Sequence, residues 1–218
     1  MQAIIFDFDG TILDTERHEY ESWQAIYQQH NATLPLERWL HQVGTVATDF
    51  DPYRLLEELT KRTFDPAAIR SERRQRFLTS LDQEALRPGV QTLIETAYHA
   101  GVRLGVASSG TREWVEGHLA ARDLRHYFQA VRTSADVVRV KPDPELYLST
   151  LASLGVDPAQ AIAIEDSHHG MIAAKRAGMR CVVVPNTITQ GMDFREADLV
   201  VQSLAELTLP ELLRIIDN

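Results

Sequence analysis

Two carboxylates stand two residues apart in Asp7-Phe8-Asp9-Gly10-Thr11, where the first apolar run, residues 3–8, gives out. If that run is a strand, both can lean toward one cleft at its carboxyl end, and Gly10 permits the turn that follows. The chemistry open to such a pair is nucleophilic attack by one carboxylate and acid/base work by the other, beside a hard cation. The same residues would also make a turn whose Asp side chains satisfy backbone amides, and this segment alone does not separate the two. An EF-hand is excluded, because the loop lacks the third acidic position and the terminal Glu.

Three further segments could join them. Val106-Ala107-Ser108-Ser109-Gly110-Thr111 offers hydroxyls and free amides ahead of a helix containing Trp114, Val115, His118 and Leu119. A helix N-terminus of this kind suits a phosphate, although simple N-capping by itself accounts for these residues. Gly105 to Gly110 has P-loop spacing, yet Thr111-Arg112 stands where Lys-Ser/Thr is required. No G-x-S-x-G elbow surrounds the serines, which removes the main support for an acyl hydrolase. Val140-Lys141-Pro142-Asp143-Pro144 holds one of only three lysines, Lys61, Lys141 and Lys175, in a chain with 22 Lys and Arg in all. In so Arg-rich a chain, Lys141 suits a compact point charge reaching an oxyanion. Ile162-Ala163-Ile164-Glu165-Asp166-Ser167 ends an apolar run in adjacent carboxylates, an oxygen-rich set that suits Mg²⁺. His168 and His169 are read as helix-start or surface residues rather than zinc ligands, since the donors around them are hard oxygens. Cys181 is read as core.

These segments need strand ends to present them. Apolar runs of strand length recur at residues 3–8, 104–107, 162–164, 181–184 and 199–201, with amphipathic segments and marked helix stops between them, such as Gly101, Gly155 and Gly178. The alternation reads as α/β. Runs without polar alternation predict strands buried on both faces, hence a mostly parallel sheet between helix layers, with ligands at the strands' carboxyl ends. Between residues 16 and 85 no strand-like run occurs, and the spacing of Tyr20, Trp23, Ile26 and of Tyr53, Leu56, Leu59 is helical. That stretch predicts a helical insertion, 16–85, in a core of 1–15 and 86–218. Arg70, Arg73, Arg74 and Arg76, near Phe77, are read as a solvated helix face.

The net charge of −9 gives no basic field for a nucleic-acid backbone or an anionic membrane. The expected partner is a small molecule. A single Cys offers no internal disulfide, and the first apolar run is too short for a signal h-region or a membrane span. A cytoplasmic address is the default expectation, and so is a monomer, since no coiled-coil repeat is visible.

Taken in order, Asp7-x-Asp9-Gly10-Thr11, the strand ending in Ser108, Lys141-Pro142 and Glu165-Asp166 resemble the four motifs of the haloacid dehalogenase (HAD) superfamily. The resemblance covers nearly the whole chain and extends to the subfamily of β-phosphoglucomutases and small phosphatases. It implies a doubly wound α/β core with an α-helical cap inserted after the first motif. Dehalogenases of the superfamily lack the second Asp, because a halide leaves without a proton and an alkoxide needs one, so Asp9 points to phosphoryl transfer. By resemblance, Asp7 is the nucleophile and Asp9 the acid/base. Ser108, Ser109 and Lys141 bind the transferring phosphate of a small phosphorylated metabolite. Mg²⁺ is held by Asp7, the backbone carbonyl of Asp9 and Asp166, with Glu165 a ligand or a group behind the ligands. The expected activity is a phosphatase acting on small phosphomonoesters, sugar phosphates being the best class. The mutase alternative is disfavoured because residues 44–49 lack the Arg that mutases carry after a comparable Gly, and Glu19, next to His18, replaces their cap-linker His. A receiver-like phospho-acceptor is disfavoured because its acidic, hydroxyl and Lys segments occur in another order.

Overall fold

Six strands form a single sheet in the computed structural model, which describes residues 1–45 and 49–217. They are β1 (Ala3–Phe6), β2 (Arg103–Ala107), β3 (Ala130–Arg132), β4 (Ala161–Glu165), β5 (Arg180–Val183) and β6 (Leu199–Val200). Their order is β3-β2-β1-β4-β5-β6, and every neighbouring pair is parallel. β3 was not expected from the sequence. Three residues are too few to show a pattern, and their place is set by pairing with β2.

The helices are α1 (Thr15–Gln29), α2 (Leu36–Trp39), α3 (Pro52–Thr60), α4 (Pro66–Leu81), α5 (Val90–His99), α6 (Arg112–Ala121), α7 (Glu145–Leu154), α8 (His168–Arg176) and α9 (Leu209–Asp217). The period of two along a strand explains how the apolar runs are used. Ile4, Phe6, Leu104, Val106, Ile162 and Ile164 belong to one core cluster with residues of α5, α6 and α9. Ala3, Ile5, Ala107, Ala161, Ala163, Cys181 and Val183 belong to another, with α7 and α8. Both faces are buried, so the strands need no polar alternation. The second face is rich in Ala, and Ala173 and Ala174 of α8, with Ala177 just past its end, meet it, which lets helix and sheet approach closely.

β1 is central, with β2 on one side and β4 on the other. The chain leaves β1 toward β2 and later returns to build β4, so the sheet changes winding direction beside β1, and a crevice is expected at its carboxyl end. Residues Leu13 and Leu86 form an antiparallel bridge, and the Arg87 N–H donates to the Ile12 carbonyl at 3.1 Å. The Arg87 guanidinium donates to the carbonyls of Gly10, Val184 and Pro185 at 2.5–2.8 Å. The two crossings of the chain between residues 13 and 86 are thus tied together at the mouth of the crevice.

Helices α1 to α4 lie between those crossings and have their own cluster, including Trp23, Ile26, Tyr27, Leu34, Trp39, Leu56 and Ile69. Burying side chains of this size contributes ~1.5–3 kcal/mol each, which lets this segment hold a core apart from the sheet. Asp51 and Asp65 cap α3 and α4, each followed by Pro at the first helical position. Of the arginines read as a solvated face, Arg70, Arg74 and Arg76 are exposed. Arg73 is not. It turns inward to Glu19 at 2.5 Å and lies over the Trp23 ring, because the acidic face of α1 packs against α4.

Candidate active site

Asp7 follows β1 directly, and its N–H donates to the Ile164 carbonyl at 2.9 Å, which pins it against β4. Asp7, Glu165 and Asp166 are buried, and each offers a carboxylate oxygen within 4.8 Å of the others. Lys141 reaches the group from the loop before α7; its side chain is 1% exposed. Its Nζ donates to Asp7 Oδ1 and, at 2.6 Å, to Glu165 Oε1.

The adjacent acids Glu165 and Asp166 point to different ends. By the alternation of β4, Glu165 shares the face of Ala161 and Ala163, beneath α7 and α8. There Oε1 accepts from Lys141 and from the Tyr147 hydroxyl at 2.5 Å, while Oε2 accepts from the Ser167 hydroxyl at 3.3 Å. Asp166 faces the crevice. Its Oδ2 accepts from Asn186 Nδ2 at 2.7 Å and its Oδ1 from the Thr11 hydroxyl at 3.3 Å.

Asp9, two residues further on, is half-buried. Trp114 Nε1 donates to Oδ1 at 2.8 Å and Ser108 Oγ to Oδ2 at 3.4 Å. Ser108 Oγ also accepts from the Gly110 N–H at 2.9 Å, and Ser109 Oγ donates to the Gly44 carbonyl at 3.2 Å. The capping reading of this segment holds at Thr111 but not at the serines, neither of which is the N-cap of α6. That role belongs to Thr111, whose hydroxyl accepts from the Trp114 N–H. The serines are left at the crevice, Ser108 buried and Ser109 half-buried.

The charges explain what the cluster needs. Burial pushes Asp7 up to about 8, with Glu165 adding to the shift and Lys141 opposing it. Burial, then repulsion from Asp7 and Glu165, holds Asp166 well above the carboxylate range. Burial alone would lower the Lys141 ammonium, but Asp7 and Glu165 outweigh it and raise it. Three carboxyl groups face one ammonium, so ionising all of them leaves excess negative charge, and burial and mutual repulsion hold protons on Asp7 and Asp166 instead. Hard oxygens, with no thiolate or imidazole among them, fit a hard divalent cation that would offset this excess.

Sequence reasoning missed several contributors. Glu16, in the first turn of α1, is raised well above its ordinary range by burial and then by Asp166 and Asp9. Asn186 follows β5, and a polar residue at a strand's carboxyl end was a usable signal. Tyr147 and Trp114 gave none, since both sit at apolar positions of helices. His168 and His169 open α8 as expected, and their Nδ1 atoms meet the carbonyls of Asp193 at 2.6 Å and Val43 at 2.9 Å. Cys181 is buried in β5, as expected. His18 is buried with Nε2 2.6 Å from Glu84, and Glu19 pairs with Arg73. Of the segment 44–49, Val46, Ala47 and Thr48 lie outside the described residues.

Comparison with known proteins agrees with this geometry. The family model described as haloacid dehalogenase-like hydrolase matches residues 4–184. YhcW of Bacillus subtilis (strain 168) is 45% identical over 213 residues, 98% of this chain and 96% of that protein. Hexitol phosphatase B of Escherichia coli (strain K12) is 40% identical over 219 residues, 97% of this chain and 96% of that protein. The crystal structure of CbbY from Rhodobacter sphaeroides in complex with phosphate superposes with a TM-score of 0.76 at 32% identity, covering 100% of both chains. With the four motifs gathered at one crevice, the chain belongs to the haloacid dehalogenase-like hydrolases.

Proposed function

We propose that the protein is a Mg²⁺-dependent phosphatase that hydrolyses small phosphomonoesters, sugar phosphates above all, through an aspartyl phosphate on Asp7. The observation that carries this reading is that Asp7 and Asp9, two residues apart beyond β1, have different partners, a buried Lys141 on the first and hydrogen-bond donors from Trp114 and Ser108 on the second. A similarity to hexitol phosphatase B and to a CbbY structure holding phosphate supports the substrate class.

In this reading Asp7 attacks phosphorus in line. Asp9 gives its proton to the leaving oxygen as the ester bond breaks, then takes a proton from the water that hydrolyses the acyl phosphate. Lys141 neutralises charge on the transferring oxygens. Ser108 and the Ser109 amide bind those oxygens, each such fixed donor being worth ~10²–10³ in rate. Asp7, Asp166 and the backbone carbonyl of Asp9 would hold Mg²⁺, which supplies charge neutralisation and Lewis-acid polarisation of the phosphoryl oxygens. Glu165 is already engaged by Lys141, Tyr147 and Ser167, which favours its role as the group that orients Lys141 rather than a ligand.

Residues 16–85 act as a cap on the core of 1–15 and 86–218. The bridge between Leu13 and Leu86 supports these boundaries. The substrate is a free phosphorylated metabolite, and the enzyme works as a cytoplasmic monomer. Among the described residues no helix is long and apolar enough to cross a membrane.

A phosphatase is favoured over a mutase by Glu19, whose carboxylate is committed to Arg73 where a mutase would place a His. The test is a panel of phosphorylated metabolites with purified protein and Mg²⁺, assayed separately for released phosphate and for isomerised product. Phosphate release, abolished in Asp7→Asn and Asp9→Asn, is expected. Isomerisation of β-glucose 1-phosphate without net phosphate release would overturn the proposal.

A further inference from the structure

Trp114 sits between Asp9 and the segment α1–α4. Its Nε1 donates to Asp9 Oδ1 at 2.8 Å. Its ring stacks on Phe77 of α4, with centroids 5.6 Å apart and planes at 28°, and His118 meets it edge-on at 4.1 Å. The other Asp9 oxygen is met by Ser108 at a long 3.4 Å, and the Thr15 hydroxyl also bears on this carboxyl. A carboxylate turns readily about its last torsion, and the 2.8 Å bond from the indole is the contact best placed to fix this one. An added Cβ on Gly110 would lie 3.1 Å from Asp9 Oδ2 and 3.3 Å from Trp114 Cδ1, so the missing side chain there lets the two meet.

Resting on the reading of Asp9 as the acid/base, the geometry points to Trp114 as its positioning residue, held in plane by Phe77. The indole N–H can only donate. The oxygen it binds must therefore accept, so the proton that Asp9 gives away sits on Oδ2. When the P–O bond breaks, that proton passes from Oδ2 to the leaving oxygen, and the Asp9 carboxylate left behind keeps its bond from Trp114. Because Phe77 belongs to α4, the orientation of Asp9 depends on α4 being docked against α6.

The test uses leaving groups that differ in their need for a proton. p-Nitrophenolate departs unprotonated, whereas a polyol or sugar alkoxide does not. Trp114→Phe keeps the ring and removes the N–H. It is expected to lower kcat/KM for an alkyl phosphomonoester by ~10–100-fold, a fraction of what general acid catalysis supplies, and for p-nitrophenyl phosphate by a several-fold smaller factor. kcat/KM is the quantity to compare because it excludes the hydrolysis of the acyl phosphate. Equal losses with both substrates, or no loss with either, would overturn the proposal. If Trp114→Phe fails to fold, 3-benzothienylalanine at position 114 removes the N–H at constant shape and is read in the same way. Phe77→Leu is expected to show the same selectivity and to add nothing in the Trp114→Phe background, and additivity would break the link to α4. Asp9→Asn serves as the control for the underlying reading. If it loses no more activity with the alkyl phosphomonoester than with p-nitrophenyl phosphate, that reading fails, whereas a selective Asp9→Asn loss with uniform Trp114→Phe losses sinks only the role of Trp114.

Discussion

Lys141 is held from behind by Glu165: Nζ and Oε1 are 2.6 Å apart, and the two side chains are 1% and 0% exposed. Tyr147 completes the arrangement by donating to the same Glu165 oxygen at 2.5 Å. A charged pair so fully removed from water is stable only while both members are present.

Replacing Glu165 therefore separates charge from shape. Glu165→Ala leaves the Lys141 ammonium with Asp7 alone and is expected to cost ~3–5 kcal/mol in a denaturant titration, the usual penalty for breaking a buried pair. Glu165→Gln retains an acceptor for Lys141 and should cost less. An exposed, screened pair would give losses under ~1 kcal/mol for both, and that result would contradict the arrangement described here.

Stability of the metal-free protein should fall as pH rises. Asp7 is raised from 3.8 to about 8 by burial, so between those values the folded chain binds more protons than the unfolded one. The stabilisation is complete below the unfolded value and is lost as pH climbs toward 8. Mg²⁺ favours the carboxylate form, so its effect on Tm should be larger at pH 8 than at pH 5. A Tm increment independent of pH would show that the cation binds away from Asp7.

Gly170 reverses an ordinary rule. Gly→Ala inside a helix normally gains ~1 kcal/mol, but a Cβ at position 170 would stand 2.0–2.1 Å from the Glu165 carboxylate. That carboxylate cannot retreat, being bound by Lys141 and Tyr147. Gly170→Ala should lower both Tm and phosphatase activity, while Gly117→Ala, where an added Cβ meets nothing within 4 Å, should leave activity intact.

Asn186 fixes the direction of Asp166 through a 2.7 Å hydrogen bond to Oδ2. Groups that orient metal ligands typically contribute 10–100-fold in affinity. Asn186→Ala should raise the Mg²⁺ concentration for half-maximal activity by ~10–100-fold, with kcat at saturating Mg²⁺ reduced much less. An unchanged Mg²⁺ requirement would remove Asp166 from the proposed ligand set.

The sequence by itself determined where chemistry could occur and on what kind of scaffold. Apolar runs without alternation already imply strands buried on both faces, and Asp7, Asp9, Ser108, Lys141, Glu165 and Asp166 lie at or beyond the ends of such runs or before a helix start. Local pattern carries that information, because burial and chain reversal are written in nearest neighbours. Only the tertiary structure decided that Glu165 and Asp166 diverge, since side-chain direction follows strand parity and which helices cover each face. It also decided that Trp114 and Tyr147, apolar by position, place their polar atoms on Asp9 and Glu165. Those contacts span 105 and 18 residues, a distance over which no spacing rule reaches, and they exist because packing α6 and α7 against the sheet leaves one half-buried and one buried carboxylate that must be satisfied.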